Sequence, residues 1–160
     1  QYADLVGGGE GFFPKQPWSG GFISWMFRND PEFKKSAAHA TYMRDAKKNR
    51  KAGKKKGYLA FKPEEIEKLA PGDLACYPRG GEDGFDTIGA ANHCDVAIND
   101  KEVVGGNLGD TAKKVAYNPD KVSMVIRNVA EGKQLSESDL RFLVREGIKY
   151  YNYMKEMSDE

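Results

Sequence analysis

The residue best suited to nucleophilic chemistry in this 160-residue chain is a serine near its beginning. Ser19 follows Pro17 and Trp18, and apolar residues recur after it at helical spacing, which predicts a buried helix from about Pro17. A serine in the first turn lies among free backbone N–H groups at the positive end of the helix dipole, where an oxyanion is stabilised. Gly20 and Gly21 lower helix propensity, which indicates a close approach to the backbone. Ser19 therefore suits a nucleophile.

A histidine that could serve as the general base lies in the second half of the chain. The alternation from residue 93 to 98 predicts a strand with His93, Asp95 and Ala97 on one face and Cys94 on the other. A carboxylate on the same face as a histidine can orient the ring and stabilise its protonated form. Cys94 points away from His93, which argues against Cys94 as a nucleophile. His39, the other histidine, lies on a predicted helix among small residues, which favours a packed, hydrogen-bonded structural role.

The elements that must position these residues are predicted helices in the first part of the chain, then short strands, and a helix at the C-terminal end. Ser36 is expected to cap a second helix that buries Ala37, Ala38, Tyr42 and Met43, and Ser136 begins a C-terminal helix. A long loop of residues 78–92 precedes the histidine strand. The further predicted spans are a helix over 36–51, a short helix over 64–69, and strands over 74–77, 102–106 and 122–128, with a hairpin turn at 99–101. This order indicates an α+β domain with helices packed on an antiparallel sheet.

Length and composition limit the function classes. Residues 1–160 are expected to form a single domain, and the initial Gln1 suggests a fragment of a longer protein. A net charge of +1 gives no argument for nucleic acid as a partner. We find no apolar run long enough for a membrane span and no signal-peptide pattern. Two histidines and the absence of zinc-type Cys/His spacing predict no metal, and we expect no cofactor.

Two further features have open interpretations. Cys76 and Cys94 lie on strands that could be neighbours, so a disulfide is possible in an oxidising compartment, but two buried free thiols are favoured. Residues 47–56 contain seven cationic side chains and no acidic one. A solvated helix end and loop is the favoured interpretation, and a patch for an anionic cell-envelope polymer or nucleic acid is the alternative.

Several motifs together resemble a known superfamily. Residues 17–25 resemble the nucleophile helix of the NlpC-like and CHAP branches of the papain-like superfamily, whose members carry Cys where this chain has Ser19. Residues 92–98 are similar to the histidine strand of that superfamily, and residues 103–107 resemble the next strand, which ends in a polar orienting residue. The chain resembles more closely, over roughly residues 14–110, an uncharacterised bacterial and phage family of that superfamily with Ser at the nucleophile position. The motifs are residues 17–25, Ser36-Ala37-Ala38-His39, Pro71-Gly72-Asp73-Leu74, His93-Cys94-Asp95 and Gly105-Gly106-Asn107.

The resemblance implies a papain-like catalytic site. It assigns Ser19 as nucleophile, His93 as base and Asn107 as the residue that orients the ring, with Asp95 as the alternative orienting residue. The CHAP pattern has an acid two residues before its Asn, where this chain has Gly105. Because an alcohol cannot be acidified as a thiol can, an active Ser19 requires neutral His93 to accept its proton during attack.

The implied substrate is peptidoglycan, cleaved at a stem-peptide bond or at the muramoyl-alanine bond. Such an enzyme would act in the periplasm or cell wall as an antibacterial effector or phage lysin, with a delivery or immunity protein as a further partner. The alternative is an inactive papain-like domain that binds cell wall or a protein partner. Two further readings stay open: Ser19 as an engineered replacement of a catalytic Cys, and a papain-like scaffold within a phage or secretion-machine structural protein.

Overall fold

The computed structural model describes residues 19–36, 38–81, 83–108 and 111–158. Their order along the chain is helix, helix, six strands and a long C-terminal helix. The helices are α1 (Ser19–Met26), α2 (His39–Lys51) and α3 (Glu137–Ser158), with a 3-10 turn at Pro63–Glu65. The strands are β1 (Tyr58–Phe61), β2 (Leu74–Pro78), β3 (Asn92–Ala97), β4 (Glu102–Leu108), β5 (Thr111–Ala116) and β6 (Met124–Asn128).

The six strands form one sheet in the order β1-β6-β2-β3-β4-β5, with every neighbouring pair antiparallel. This confirms the predicted α+β class with helices on an antiparallel sheet. The hairpin turn between β3 and β4 is also confirmed, because the Ile98 N–H donates to the Glu102 carbonyl at 2.9 Å. The sequence patterns did not predict β1 and β5, which are the two edge strands of the sheet.

The side chains of the sheet divide between two apolar clusters. Cys94, Val96 and Ile98 belong to the larger cluster, which lies beneath the helices, whereas Ala97 belongs to the smaller one. The predicted alternation of β3 is therefore confirmed. Helix α1 packs against β3, β4 and α3, and Phe22 and Ile23 are almost completely buried. Gly147 on α3 permits this approach, since a Cβ atom there would lie 2.8 Å from the Phe22 ring.

Helix α2 begins three residues later than predicted. Ser36 does not cap it: the cap residue is Ala38, which is extended and exposed and not inward as predicted. The reason is a tertiary contact, because the buried Ser24 hydroxyl of α1 accepts from the Ser36 N–H at 2.9 Å and lies 2.8 Å from the Ser36 carbonyl, to which it donates. These bonds hold Ser36 outside the helix. Tyr42 is buried as predicted, and Ala37 lies outside the described residues.

The expectation of two free thiols was wrong. Cys76 on β2 and Cys94 on β3 are directly opposed in the antiparallel register and form a disulfide. Their Cα atoms are 4.0 Å apart, which brings the side chains close enough to bond. The predicted short helix over 64–69 was also too long, since only the 3-10 turn Pro63–Glu65 forms. None of the helices in the described ranges is both long and apolar enough to cross a membrane.

Candidate active site

A hydrogen-bonded histidine and carboxylate lie near the beginning of β3. His93 Nε2 is 2.6 Å from Asp95 Oδ1, and the two side chains are 1% and 9% exposed. Because β3 is extended, residues two apart project from the same face, which explains why the two groups meet. A carboxylate at this distance accepts the Nε2 proton of the ring and thereby favours the tautomer with a basic Nδ1. The structure therefore brings together two of the four predicted site residues.

The neighbouring strand leaves room for this pair because it carries a glycine. A Cβ atom on Gly105 of β4 would lie 1.9 Å from Asp95 Oδ1 and 3.2 Å from His93 Nε2. Any larger residue would displace the carboxylate or the ring. Asp95 reaches this space from β3. The sequence shows that position 105 lacks an acid, but the need of Asp95 for a glycine at this position was not predicted.

A tyrosine ring also packs against His93. Tyr77 of β2 is paired with His93 in the register of the two strands, and their ring centroids are 5.2 Å apart. Tyr77 is 8% exposed, so its ring shields the imidazole from water. The Cys76–Cys94 disulfide joins the same two strands one residue away. The position of His93 is consequently fixed by strand pairing, ring packing and a covalent bond.

The second histidine of the chain packs directly against the first. The His39 and His93 ring centroids are 5.0 Å apart, and His39 is buried and hydrogen-bonded through Nδ1 to the Tyr42 hydroxyl. Burial, followed by the charges of His93 and Arg79, lowers the pKa of His39 well below its ordinary value. His39 is the first residue of α2, so the beginning of this helix lies against His93. Its packed, hydrogen-bonded role fits the structural interpretation, but its contact with His93 was not predicted.

The remaining two predicted site residues are placed by their backbones. Ser19 is the first residue of α1, and Asn107 belongs to β4, the strand that follows the histidine strand. The side chains of both lie outside the described part of the structure. Helix α1 is nevertheless linked to the histidine region, because Ser24 is bonded to Ser36, three residues before His39. The start of α1 and the end of β4 are therefore the elements from which Ser19 and Asn107 would reach the site.

Other polar features of the fold lie away from His93. A cavity of about 430 Å³ is lined by residues that include Asp30, Asp73 and Arg127, and neither His93 nor Asp95 is among its lining residues. We assign chemistry to the His93 region and not to this cavity because Arg127 already neutralises Asp73 in three hydrogen bonds. In the described ranges no three His, Cys, Asp or Glu side chains are grouped so that they could hold a metal ion.

The cationic run at residues 47–56 contributes contacts within the fold. Lys47 Nζ donates to the carbonyls of Phe85 and Asp86, at 2.5 and 3.2 Å, and Arg50 forms a bidentate pair with Glu65. These two cations therefore hold a loop and the 3-10 turn. The interpretation of the run as a helix end and loop accounts for both contacts.

Three features of the histidine environment were not predicted: the packing of Tyr77, the close approach of Gly105 to Asp95, and the contact of His39 with His93. Only Gly105 carried a signal, since a glycine inside a predicted strand indicates a close approach. Comparison with curated proteins and with solved structures found no significant match. A family model matches residues 6–142, which include both histidines, the disulfide and all six strands. The chain belongs to the family described as "uncharacterized protein conserved in bacteria (DUF2272)".

Proposed function

We propose that this domain is a papain-like amide hydrolase that acts on peptidoglycan with Ser19 as nucleophile and His93 as general base. The observation that carries the proposal is the buried His93–Asp95 pair, with its 2.6 Å contact. A structural histidine needs no carboxylate to fix its tautomer, whereas a general base gains from one that keeps the proton on Nε2 and stabilises the imidazolium. The papain-like assignment rests on the order of nucleophile helix, histidine strand and following strand.

The nucleophile would act at the start of α1. The first backbone N–H groups of a helix have no partner within it, so the Ser19 N–H can stabilise an oxyanion. As the Ser19 hydroxyl attacks an amide carbonyl, His93 Nδ1 takes its proton, while Asp95 holds the charged ring. His93 then returns the proton to the leaving amine, and water repeats the sequence to release the acyl group. The ester that forms between Ser19 and the acyl group is thus hydrolysed again, which returns the enzyme to its starting state.

Asn107 has a second orienting role in this proposal. The β3–β4 register pairs Val96 with Val104 and Ala97 with Val103. Asn107 follows on the same strand, within a stretch where the pairing of β4 with β5 is irregular. An amide there would supply a further hydrogen-bonding group to the ring beside the Asp95 carboxylate. We propose that Asp95 is the principal partner of Nε2 because a carboxylate stabilises an imidazolium better than an amide does.

Compartment and family membership support a substrate in the cell envelope. A buried disulfide persists in oxidising compartments such as the bacterial periplasm and is rare in the reducing cytosol. The family is described as conserved in bacteria, whose wall is peptidoglycan. We therefore propose action in the periplasm or cell wall, on a stem-peptide bond or the muramoyl-alanine bond, after delivery as an effector or lysin.

The experiment is incubation of three proteins with purified peptidoglycan, followed by mass analysis of the released fragments. The chain as given should cleave, and Ser19→Ala should release nothing because the attacking atom is gone. Ser19→Cys should retain part of the activity, since the base and helix end remain. If the chain is inert and only Ser19→Cys cleaves, the serine is an inactivating or engineered residue. If all three are inert but sediment with peptidoglycan, the hydrolase proposal fails and a wall-binding domain is the function.

A further inference from the structure

Two exposed cations converge on the tyrosine that packs against His93. The Lys121 Nζ atom lies 4.1 Å from the centroid of the Tyr77 ring, and the Arg79 guanidinium carbon lies 5.9 Å from it. Arg79 comes directly after β2, and Lys121 lies in the turn before β6, so two separate segments contribute. Both side chains are exposed, whereas the tyrosine between them and His93 is buried. The arrangement places positive charge at the solvent edge of the candidate site.

The backbones that carry these cations are held in place. The Arg79 N–H donates to the Ala91 carbonyl at 2.6 Å, across the base of the loop between β2 and β3. The Lys121 N–H donates to the Asn118 carbonyl at 3.2 Å, within a tight turn. The charge of Arg79 also acts inward, since it contributes to lowering the pKa of the buried His39 ring. The backbones from which both cations extend toward Tyr77 are therefore fixed.

Some cations of the fold have an anionic partner within the described ranges, whereas these two have none there. Arg50, Arg127, Arg141 and Lys114 each form an ion pair with a carboxylate. Neither Arg79 nor Lys121 forms one with any residue in the described ranges. Two like charges over one ring repel each other, and an anion bound between them would relieve that repulsion. Such an anion would lie next to the ring that covers His93.

We infer that Arg79 and Lys121 form a specificity subsite for a carboxylate that the substrate carries beside the cleaved amide; this rests on the proposed function. The substrate class is an acidic peptide, not a neutral one. The carboxylate binds as a charge-assisted acceptor to both cations, and the apolar part of the same residue lies on Tyr77. Arg79 and Lys121 take no part in bond cleavage: they select and position the substrate.

The test compares two substrates and three proteins. Muropeptides from a muramidase digest of peptidoglycan are used either with free carboxylates or with the carboxylates converted to amides. The wild-type domain should cleave the carboxylate form with a kcat/KM about tenfold above that of the amide form. The double variant Arg79→Gln/Lys121→Gln should lose this preference through a raised KM. The control Lys55→Gln should keep it, because Lys55 is exposed and lies beyond the opposite end of α2 from His39.

Binding of the same muropeptides to a Ser19→Ala background, measured by calorimetry, separates the two proposals. A carboxylate preference in binding that the double variant loses, without any wild-type cleavage, would support the subsite and overturn the hydrolase. Cleavage without a carboxylate preference, or a double variant that is impaired equally on both forms, would overturn the subsite and leave the hydrolase. A Tm of the double variant equal to that of wild type excludes unfolding as the cause. Absence of both cleavage and binding would overturn both.

Discussion

Two buried carboxylates of this fold have the same short ion-pair distance and different partners. Asp73, directly before β2, lies 2.6 Å from Arg127 Nη2, and Asp95 lies 2.6 Å from His93 Nε2. Asp73 also accepts the Ala70 N–H, and Arg127 also donates to the Lys68 carbonyl. The Asp73 network is thus closed by groups of the fold itself. The Arg127 guanidinium stays charged at all ordinary pH values, and Asp73 raises its pKa further.

The difference lies in what the partner of each carboxylate can do. An arginine can neutralise a buried charge but cannot exchange a proton near neutral pH, so the Asp73–Arg127 pair is suited to joining β2 and β6. A histidine exchanges its proton in that range, and the Asp95–His93 pair lies beside a second histidine and an exposed cationic edge. The comparison teaches that burial and short distance alone do not identify chemistry. What identifies it is whether the partner is a guanidinium or an imidazole.

The largest expected effect is on catalysis, from His93→Gln. Glutamine keeps a polar side chain but has no group that can accept the Ser19 proton, so cleavage of peptidoglycan should fall by about a thousandfold. The rate is measured per folded molecule by release of soluble fragments. Arg127→Met, assayed alongside, should leave this rate unchanged because Arg127 is bonded to Asp73 and Lys68 and not to the histidine pair. If His93→Gln cleaved at the wild-type rate, the His93–Asp95 pair would be structural, like the Asp73–Arg127 pair.

The next largest effect is on stability, from Arg127→Met. The substitution leaves Asp73, which is 3% exposed, without its charged partner, and we expect a loss of about 3 kcal/mol in the free energy of unfolding by urea. The matched control is Arg50→Met, whose pair with Glu65 is more than one-third exposed on both sides, and the expected loss is below about 1 kcal/mol. Equal losses in the two variants would contradict the expectation that the buried Asp73–Arg127 pair contributes more to stability than the exposed Arg50–Glu65 pair.

A smaller effect is expected from crowding the histidine pair. In Gly105→Ala the new methyl group would lie 1.9 Å from Asp95 Oδ1, so the carboxylate or β4 must shift. We expect a loss of about 2 kcal/mol in stability and a lower rate of peptidoglycan cleavage, because overpacking displaces the partner of His93. Gly81→Ala is the control, since no atom lies within 4 Å of the added carbon. Unchanged stability and rate in Gly105→Ala would show that Asp95 does not depend on this glycine.

The smallest effect concerns pH. Burial lowers the pKa of His39 in the folded state, so below about pH 6.5 the unfolded chain takes up a proton that the folded chain does not. Stability is therefore full above that pH and is lost as the pH falls toward the lowered pKa. Between pH 7.5 and 6 the His39 contribution to this loss should be about 1 kcal/mol. Urea unfolding of His39→Gln should show a correspondingly smaller loss over this interval, and an equal loss in both proteins would contradict the assignment.

The sequence alone determined much of the fold and the alternation of the histidine strand. Strands β2, β3, β4 and β6 and both long helices follow from local periodicity, and His93 and Asp95 share a face because extended backbone has a period of two. The pairing of those two residues was therefore predictable from their spacing. Their relation to Ser19 and Asn107 stays a prediction from motif order.

Only the tertiary structure decided the features that depend on strand register. The disulfide forms because Cys76 and Cys94 are directly opposed, and no local pattern specifies which residues of two strands face each other. The same holds for Gly105 beside Asp95, for His39 against His93, and for the late start of α2, which Ser24 sets from another helix. Each of these contacts joins residues far apart in sequence, and packing alone brings them together.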